Sequence, residues 1–243
     1  MTTYGKTILV TGANRGLGRA LVDEALRRGA VRVYAGTRQP MSHPDKRVTP
    51  VTLDVTDAAQ IQAALASVES LDMLINNAGL ALLDDLSEPA ALEQHLAVNL
   101  FGTYSVTQAF LPLLTRSQGA GAIVNVSSLS AIAAVPVIPA YSISKAAAFS
   151  LSQSLRALLA ERGVTVHSVL PGPVDTDMNR DWDFPKASPE SVARAILDGV
   201  ENGEDEIFPD PISAGMADSW RSGPAKTLER QNAALLQAVP AEA

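Results

Sequence analysis

The sequence predicts an α/β fold, with one doubly wound parallel sheet carrying helices on both faces as a three-layer αβα single domain. Two observations carry that expectation. Short apolar runs alternate with amphipathic stretches almost to the end of the chain, the pattern of repeated βαβ units. The glycine-rich segment TGANRGLG, residues 11–18, directly follows the first apolar run, where a strand of such a sheet hands over to a helix.

Composition narrows the classes of function. The 243 residues are 47% hydrophobic and 19% charged, a globular balance with enough chain for a substantial core. One domain over residues 1–243 is expected, with 209–243 as an atypical tail. A net charge of -7 without any basic run argues against a nucleic-acid partner. The absence of cysteine excludes disulfides, thiol nucleophiles and thiolate metal sites. No apolar run approaches membrane-spanning length, and the N-terminal one is too short for a signal peptide. No membrane partner is therefore expected, and the cytoplasm is the expected compartment.

The elements follow in order. Ile8, Leu9 and Val10 mark a buried strand at 7–10, and residues 19–26 have the spacing of a helix over 17–28. Between them, Gly12 permits the tight turn, Gly16 lets backbone approach a ligand, and Gly18 allows close packing of helix on sheet. Unpaired N–H groups at the helix start, with the positive end of its dipole, make an anion site suited to a phosphate. An ordinary strand–turn–helix connection would share the glycines.

A second strand at 31–36 leads into Thr37 and Arg38, where a site for NAD would place a carboxylate against the ribose 2′-hydroxyl. None is present. Arg15 in the glycine loop and Arg38 would together grip a 2′-phosphate, so the pattern points to NADP. After a third strand at 48–53, Asp54 either accepts from an adenine amino group or caps the helix expected over 57–69. A fourth strand at 72–76 ends in Asn76-Asn77-Ala78-Gly79. Small residues there admit a ligand close to the backbone, and asparagine amides bridge unpaired strand ends; a plain turn is the alternative.

A long helix is expected over 90–114, a fifth strand at 122–127 and a helix over 142–162. Tyr141 and Lys145, in YSISK, stand four apart and share a helical face. An ammonium beside a phenol lowers its pKa from about 10 and fits it as a general acid or base at a carbonyl or alcohol oxygen. Ser128 ends the fifth strand, where its hydroxyl can orient the same oxygen. A sixth strand at 164–170, a helix over 189–202 and a short strand at 206–208 complete the pattern. Residues 171–189 and those from 209 onward read as irregular.

Taken in order, TGANRGLG, LDVT, NNAG, Asn99 in VNLFGTY, Ser128 in VNVSS, YSISK and PGPVDT at 171–176 resemble the short-chain dehydrogenase/reductase family. The resemblance runs from about Lys6 to Gly203 and implies a Rossmann fold and a carbonyl reductase or alcohol dehydrogenase. It implies Tyr141 as the acid/base, Lys145 on the nicotinamide ribose, Ser128 on the substrate oxygen and Asn99 supporting a water-linked proton relay. Gly12, Asn14, Arg15, Gly16, Leu17, Gly18, Thr37, Arg38, Asp54, Val55, Asn77, Ala78 and Gly79 would bind NADPH or NADP. Pro171, Gly172, Val174 and Thr176 would complete the set at its nicotinamide end.

The implied partners are a small-molecule carbonyl substrate and further copies of the chain. A homodimer or homotetramer would form through helices 90–114 and 142–162. The chain departs from the family after its last strand, where relatives often end in glycines. Here Leu228, Leu235 and Leu236 are expected on one face of a terminal helix, which puts the usual tetramer in doubt.

His43, His95 and His167 lack metal-ligand spacing, and the last two read as structural. Ser127, Ser130, Ser142 and Ser144 flank the catalytic segment without the register that selects Ser128. Asp84-Asp85 and Glu204-Asp205-Glu206 read as solvated loops. Met178, Trp182 and Phe184, with Ala133, Val135 and Ile138, are expected to wall a pocket for bulky uncharged carbonyls; the alternative is that the first three simply pack their loop onto the body. The alternatives are an epimerase or dehydratase of nucleotide sugars, disfavoured by the short chain beyond the sixth strand, and an NADP-sensing regulator. The regulator would have no need of Ser128, Tyr141 and Lys145 together.

Overall fold

The computed structural model describes residues 1–39, 41–116 and 121–237. Seven strands form one sheet: β1 (Thr7–Thr11), β2 (Arg32–Thr37), β3 (Val48–Thr52), β4 (Met73–Asn76), β5 (Gly121–Val126), β6 (Val164–Val169) and β7 (Glu206–Ile207). They are all parallel, in the order β3-β2-β1-β4-β5-β6-β7. The chain steps outward from β1 to β3, then crosses back to build β4 to β7. The order therefore reverses between β1 and β4, where a crevice opens beyond the strand ends.

On one face lie α1 (Gly16–Arg27) and α6 (Pro189–Glu201). Their apolar sides pack with Ile8, Val10, Ile75 and Val124 of the sheet. On the other lie α2 (Ala58–Ser67), α3 (Pro89–His95), α4 (Thr103–Leu114) and α5 (Pro139–Leu159), with Phe110, Leu114 and Leu155 against Leu9, Leu74 and Ile123. Strands of a doubly covered sheet bury both faces, which is why β1 and β4 are apolar throughout their centres.

The expected helix over 90–114 is not one regular helix. Between α3 and α4, Leu96–Gly102 adopts π geometry, a wider turn around Asn99. The last catalytic-segment helix begins earlier than expected, at Pro139, whose ring suits a first helical turn. After β6, residues 171–188 are irregular, as expected, apart from a 3-10 turn at Asp177–Asn179 and a parallel bridge between Val174 and Ala187.

The tail, read as irregular from 209 apart from a terminal helix bearing the leucines, is helical over most of its described length. It forms α7 (Pro211–Ala214), α8 (Ala217–Arg221) and α9 (Pro224–Ala233), followed by a 3-10 turn at Ala234–Gln237. Residues 238–243 of the expected tail lie outside the described residues. Leu228, Leu235 and Leu236 are exposed, so the face that α9 buries is not the leucine one. Lys226 is buried instead, its Nζ 2.9 Å from Glu206, 3.0 Å from Asp205 and 3.0 Å from Glu229. Arg156 of α5 reaches Glu206 at 2.9 Å and also pairs with Glu229. Glu206 is therefore a buried strand residue within an ion cluster, not part of a solvated loop. Phe149 and Trp220 hold α8 on α5 beside this cluster, ring centroids 5.4 Å apart.

Candidate active site

The carboxyl ends of the strands open into a cavity of about 1120 Å³. Its floor is the glycine turn. Gly12 and Gly16 take the left-handed backbone, at φ 68° and 52°. A Cβ at Gly18 would collide with the Gly12 carbonyl oxygen, and one at Gly16 would lie 3.1 Å from the Thr176 methyl. The first helical turn of α1 has neither a side-chain cap nor an acidic residue of its own, which leaves its N–H groups available at the cavity. A phosphate-bearing ligand fits these features.

Most residues singled out in the sequence line this cavity: Asn14, Arg15, Leu17, Arg38, Asp54, Val55, Asn77, Ala78 and Gly79 on one side, Ser128, Tyr141, Lys145, Pro171, Gly172, Val174 and Thr176 on the other. Two do not. Thr37 is buried beneath it and donates its hydroxyl to the Gln39 carbonyl. Asn99 sits behind the wall, clasping Leu80: its Oδ1 accepts from the Leu80 N–H at 2.8 Å and its Nδ2 donates to the Leu80 carbonyl at 2.9 Å. Gln39, Gln94 and Ala97 also line the cavity and carried no motif that would have marked them.

Several open readings resolve. Asp57, not Asp54, caps α2, accepting from the Ala59 and Gln60 N–H groups. Asp54 closes a turn onto Thr56 at the cavity edge. Asn77 donates to the Thr11 carbonyl at 2.9 Å, and Asn76 bridges Thr107 and Asn125. The asparagines thus tie strand ends together. Arg15 and Arg38 both line the cavity, and the nearby Asp177 carboxylate holds the Arg15 guanidinium at 2.8 Å.

At the opposite end, Tyr141 and Lys145 share the buried face at the start of α5. Lys145 donates from Nζ to the Val126 carbonyl at 2.8 Å and stands 5.7 Å from the Tyr141 ring centroid. The Ser128 side chain and the Tyr141 phenol line the same wall, and Ser128 favours the ionised phenol. Burial pushes the phenol above its usual value, against the lowering by Ser128, while burial brings Lys145 down to about 8. The ammonium was expected to lower the phenol. Burial governs the phenol here instead, and a phenol that keeps its proton suits the donor role in a reduction.

The neighbours hold these groups. His95 is buried with its ring edge-on to Tyr141 at 6.3 Å, its Nε2 accepting from the Leu82 N–H and its Nδ1 bonded to the Ala91 carbonyl. His167 bonds the Glu204 carbonyl, which fits the structural reading. Ser144 accepts from Asn99 Nδ2 and donates to the Tyr141 carbonyl, so a serine passed over in the sequence links the π turn to α5. Asp84 is not simply solvated: its carboxylate accepts from the Ala140 N–H at the start of α5.

The expected apolar wall is only partly present. Met178 lines the cavity, but Ala133, Val135 and Ile138 do not. Trp182 and Phe184 stack on each other, 5.9 Å between centroids, outside the lining. Among the described residues no group of side chains could hold a metal ion, and no helix is long and apolar enough to cross a membrane.

Comparison with known proteins agrees with this architecture. A crystal structure of a short chain dehydrogenase from Burkholderia cenocepacia, in complex with NADP, is 39% identical and superposes with a TM-score of 0.85. The match covers 95% of this chain and 99% of that one. Oxidoreductase UcpA of Salmonella typhimurium is 32% identical over 84% of this chain and 87% of its own. Short chain dehydrogenase pigC of Monascus ruber is 35% identical over 72% of this chain; the match spans 64% of that longer protein. The short chain dehydrogenase family model matches residues 6–186, which take in the glycine turn, Ser128, Tyr141, Lys145 and the turn after β6. On these grounds the chain is an oxidoreductase of the short-chain dehydrogenase family.

Proposed function

We propose that the protein is an NADPH-dependent carbonyl reductase, reversible as an alcohol dehydrogenase. The observation that carries the reading is the meeting of the Ser128 hydroxyl, the protonated Tyr141 phenol and the Lys145 side chain on one wall of a cavity whose far end is an anion-binding turn. When bound, the cofactor supplies the hydride.

The chain's residues do the rest. The Gly12–Gly18 turn and the start of α1 hold the pyrophosphate, and Pro171, Gly172 and Thr176 border the nicotinamide end. Ser128 donates a hydrogen bond to the carbonyl oxygen and fixes it beside the phenol. Tyr141 passes its proton to that oxygen as negative charge develops there. Lys145 holds the ribose and, as an ammonium, stabilises the phenolate that is left. Asn99 acts from behind the wall by fixing Leu80 and, through Ser144, the start of α5.

Arg38 reads the 2′-phosphate, and Arg15 joins it by leaving Asp177. A hydrogen bond to a charged group contributes ~1.5–3 kcal/mol, so Arg38→Ala should weaken NADPH binding about tenfold to a hundredfold. NADH, lacking the phosphate, should be nearly unaffected. Calorimetric titration with both cofactors measures the difference, and equal losses would remove Arg38 from that role.

Met178, Leu80 and Val98 give the cavity apolar surface, while Asp177 and Asp84 put carboxylates near it. Uncharged, bulky ketones or aldehydes should therefore be preferred to anionic ones. Matched aryl, alkyl and carboxylate-bearing ketones, compared by kcat/KM with NADPH, test this; a preference for the carboxylates would refute the pocket. A second copy of the chain is the proposed partner, on the face where Phe101, Tyr104, Ile143 and Leu158 are exposed beside α4 and α5.

A further inference from the structure

The turn that borders the nicotinamide end is held from outside the cavity by Asp210, a residue of the tail that no motif in the sequence marked. Asp210 is buried, 5% exposed, and its carboxylate accepts from four donors. The Ile212 and Ser213 N–H groups reach Oδ1 at 3.0 Å each, which caps α7. The Ser213 hydroxyl and the Gly172 N–H reach Oδ2, both at 2.7 Å. The last of these crosses from the tail to the cavity wall. On the other side of the same turn, the Pro171 carbonyl accepts from the Leu129 N–H at 3.0 Å, one residue beyond Ser128.

The turn is thus clamped between Ser128's own segment and one buried carboxylate. Fit at the clamp is close: a Cβ on Gly172 would stand 2.9 Å from Asp210 Oδ1. A carboxylate accepts at both oxygens without rotating, whereas an amide in its place must present N–H₂ on one side. In Asn, that group would oppose either the Gly172 N–H or the cap.

We propose that Asp210 is a positioning residue: it couples the docked tail to the Pro171-Gly172 turn and so sets the position of the nicotinamide end relative to Ser128 and Tyr141. This rests on the cofactor reading above. It also gives a use to the departure of the chain after β7, since α7 supplies the frame in which Asp210 is fixed.

The test compares two ligands. NADPH spans the whole site, while 2′,5′-ADP carries only the phosphorylated adenosine end and does not reach the turn. Asp210→Asn should weaken NADPH about tenfold, the loss of one charge-assisted hydrogen bond, and leave 2′,5′-ADP within about twofold of the wild type. Gly172→Ala disturbs the same contact from the cavity side and should give the same split. Ser213→Ala, which spares the Gly172 contact, should lower Tm without the split. Equal changes for the two ligands in Asp210→Asn and Gly172→Ala, or no change for NADPH, would overturn the proposal. Failure of the wild type to bind 2′,5′-ADP would instead count against the cofactor reading itself.

Discussion

Tyr141→Phe should lose at least ~10²-fold in kcat, and up to ~10⁴-fold, with NADPH affinity unchanged, because general acid catalysis typically contributes that much. The substitution removes one hydroxyl. The ring stays in its slot against His95, and Lys145 keeps its bond to the Val126 carbonyl. Packing of α5 is therefore expected to survive, and the loss reports the proton alone. Ser128→Ala, which leaves the phenol in place, should lose less. Steady-state kinetics alongside a fluorescence titration of NADPH separates the two quantities. Turnover near the wild-type rate would take Tyr141 out of the chemistry.

The second large effect is on stability, and it sits far from the cavity. Lys226→Ala should cost ~3 kcal/mol, the low end of the range for breaking a buried ion pair, because Arg156 remains to neutralise part of the cluster. Glu206, 3% exposed, cannot turn to water when its ammonium partner is gone. For a chain of this size the loss corresponds to a fall in Tm of about 6–12 °C. Leu228→Ala on the outer side of α9 should leave Tm nearly unchanged, since that side chain is 56% exposed. A calorimetric scan of both variants checks the pair. A large effect from Leu228 with none from Lys226 would mean that α9 docks by its leucine face.

The two ends of the site were legible in the sequence to different depths. The glycine turn could be read because its physics is local: strand, turn and helix are contiguous, and three glycines answer three separate steric demands. Tyr141 and Lys145 could be read because a spacing of four fixes a shared helical face. Asn99 was found by its motif. Its actual partners, Leu80 and Ser144, lie 19 and 45 residues away and depend on a π turn that no periodicity reveals.

The same limit explains the misreadings. Glu206 looked solvated because its neighbours are acidic, yet its countercharges come from Arg156 and Lys226, 50 and 20 residues distant. Leu228, Leu235 and Leu236 were expected on one face of a terminal helix, but they are exposed, and charge complementarity holds α9. Arg15 and Arg38 were read together because no carboxylate follows the second strand, and the Asp177 contact of Arg15 is a partner that reading did not include. Whether a guanidinium meets a phosphate or a carboxylate depends on which is near, and Asp177 is nearer in three dimensions than 162 positions of sequence suggest.

Carbonyl reduction with NADPH as hydride donor, proton supplied by Tyr141, is the central claim. The most direct measurement is product stoichiometry: the purified protein, a bulky aryl ketone and NADPH, with the alcohol quantified by chromatography against the NADPH consumed. The account predicts one alcohol formed per NADPH oxidised, in a single dominant enantiomer, with the Tyr141→Phe protein forming almost none. NADPH that binds tightly yet is never consumed, across ketones and aldehydes of every size, would contradict it.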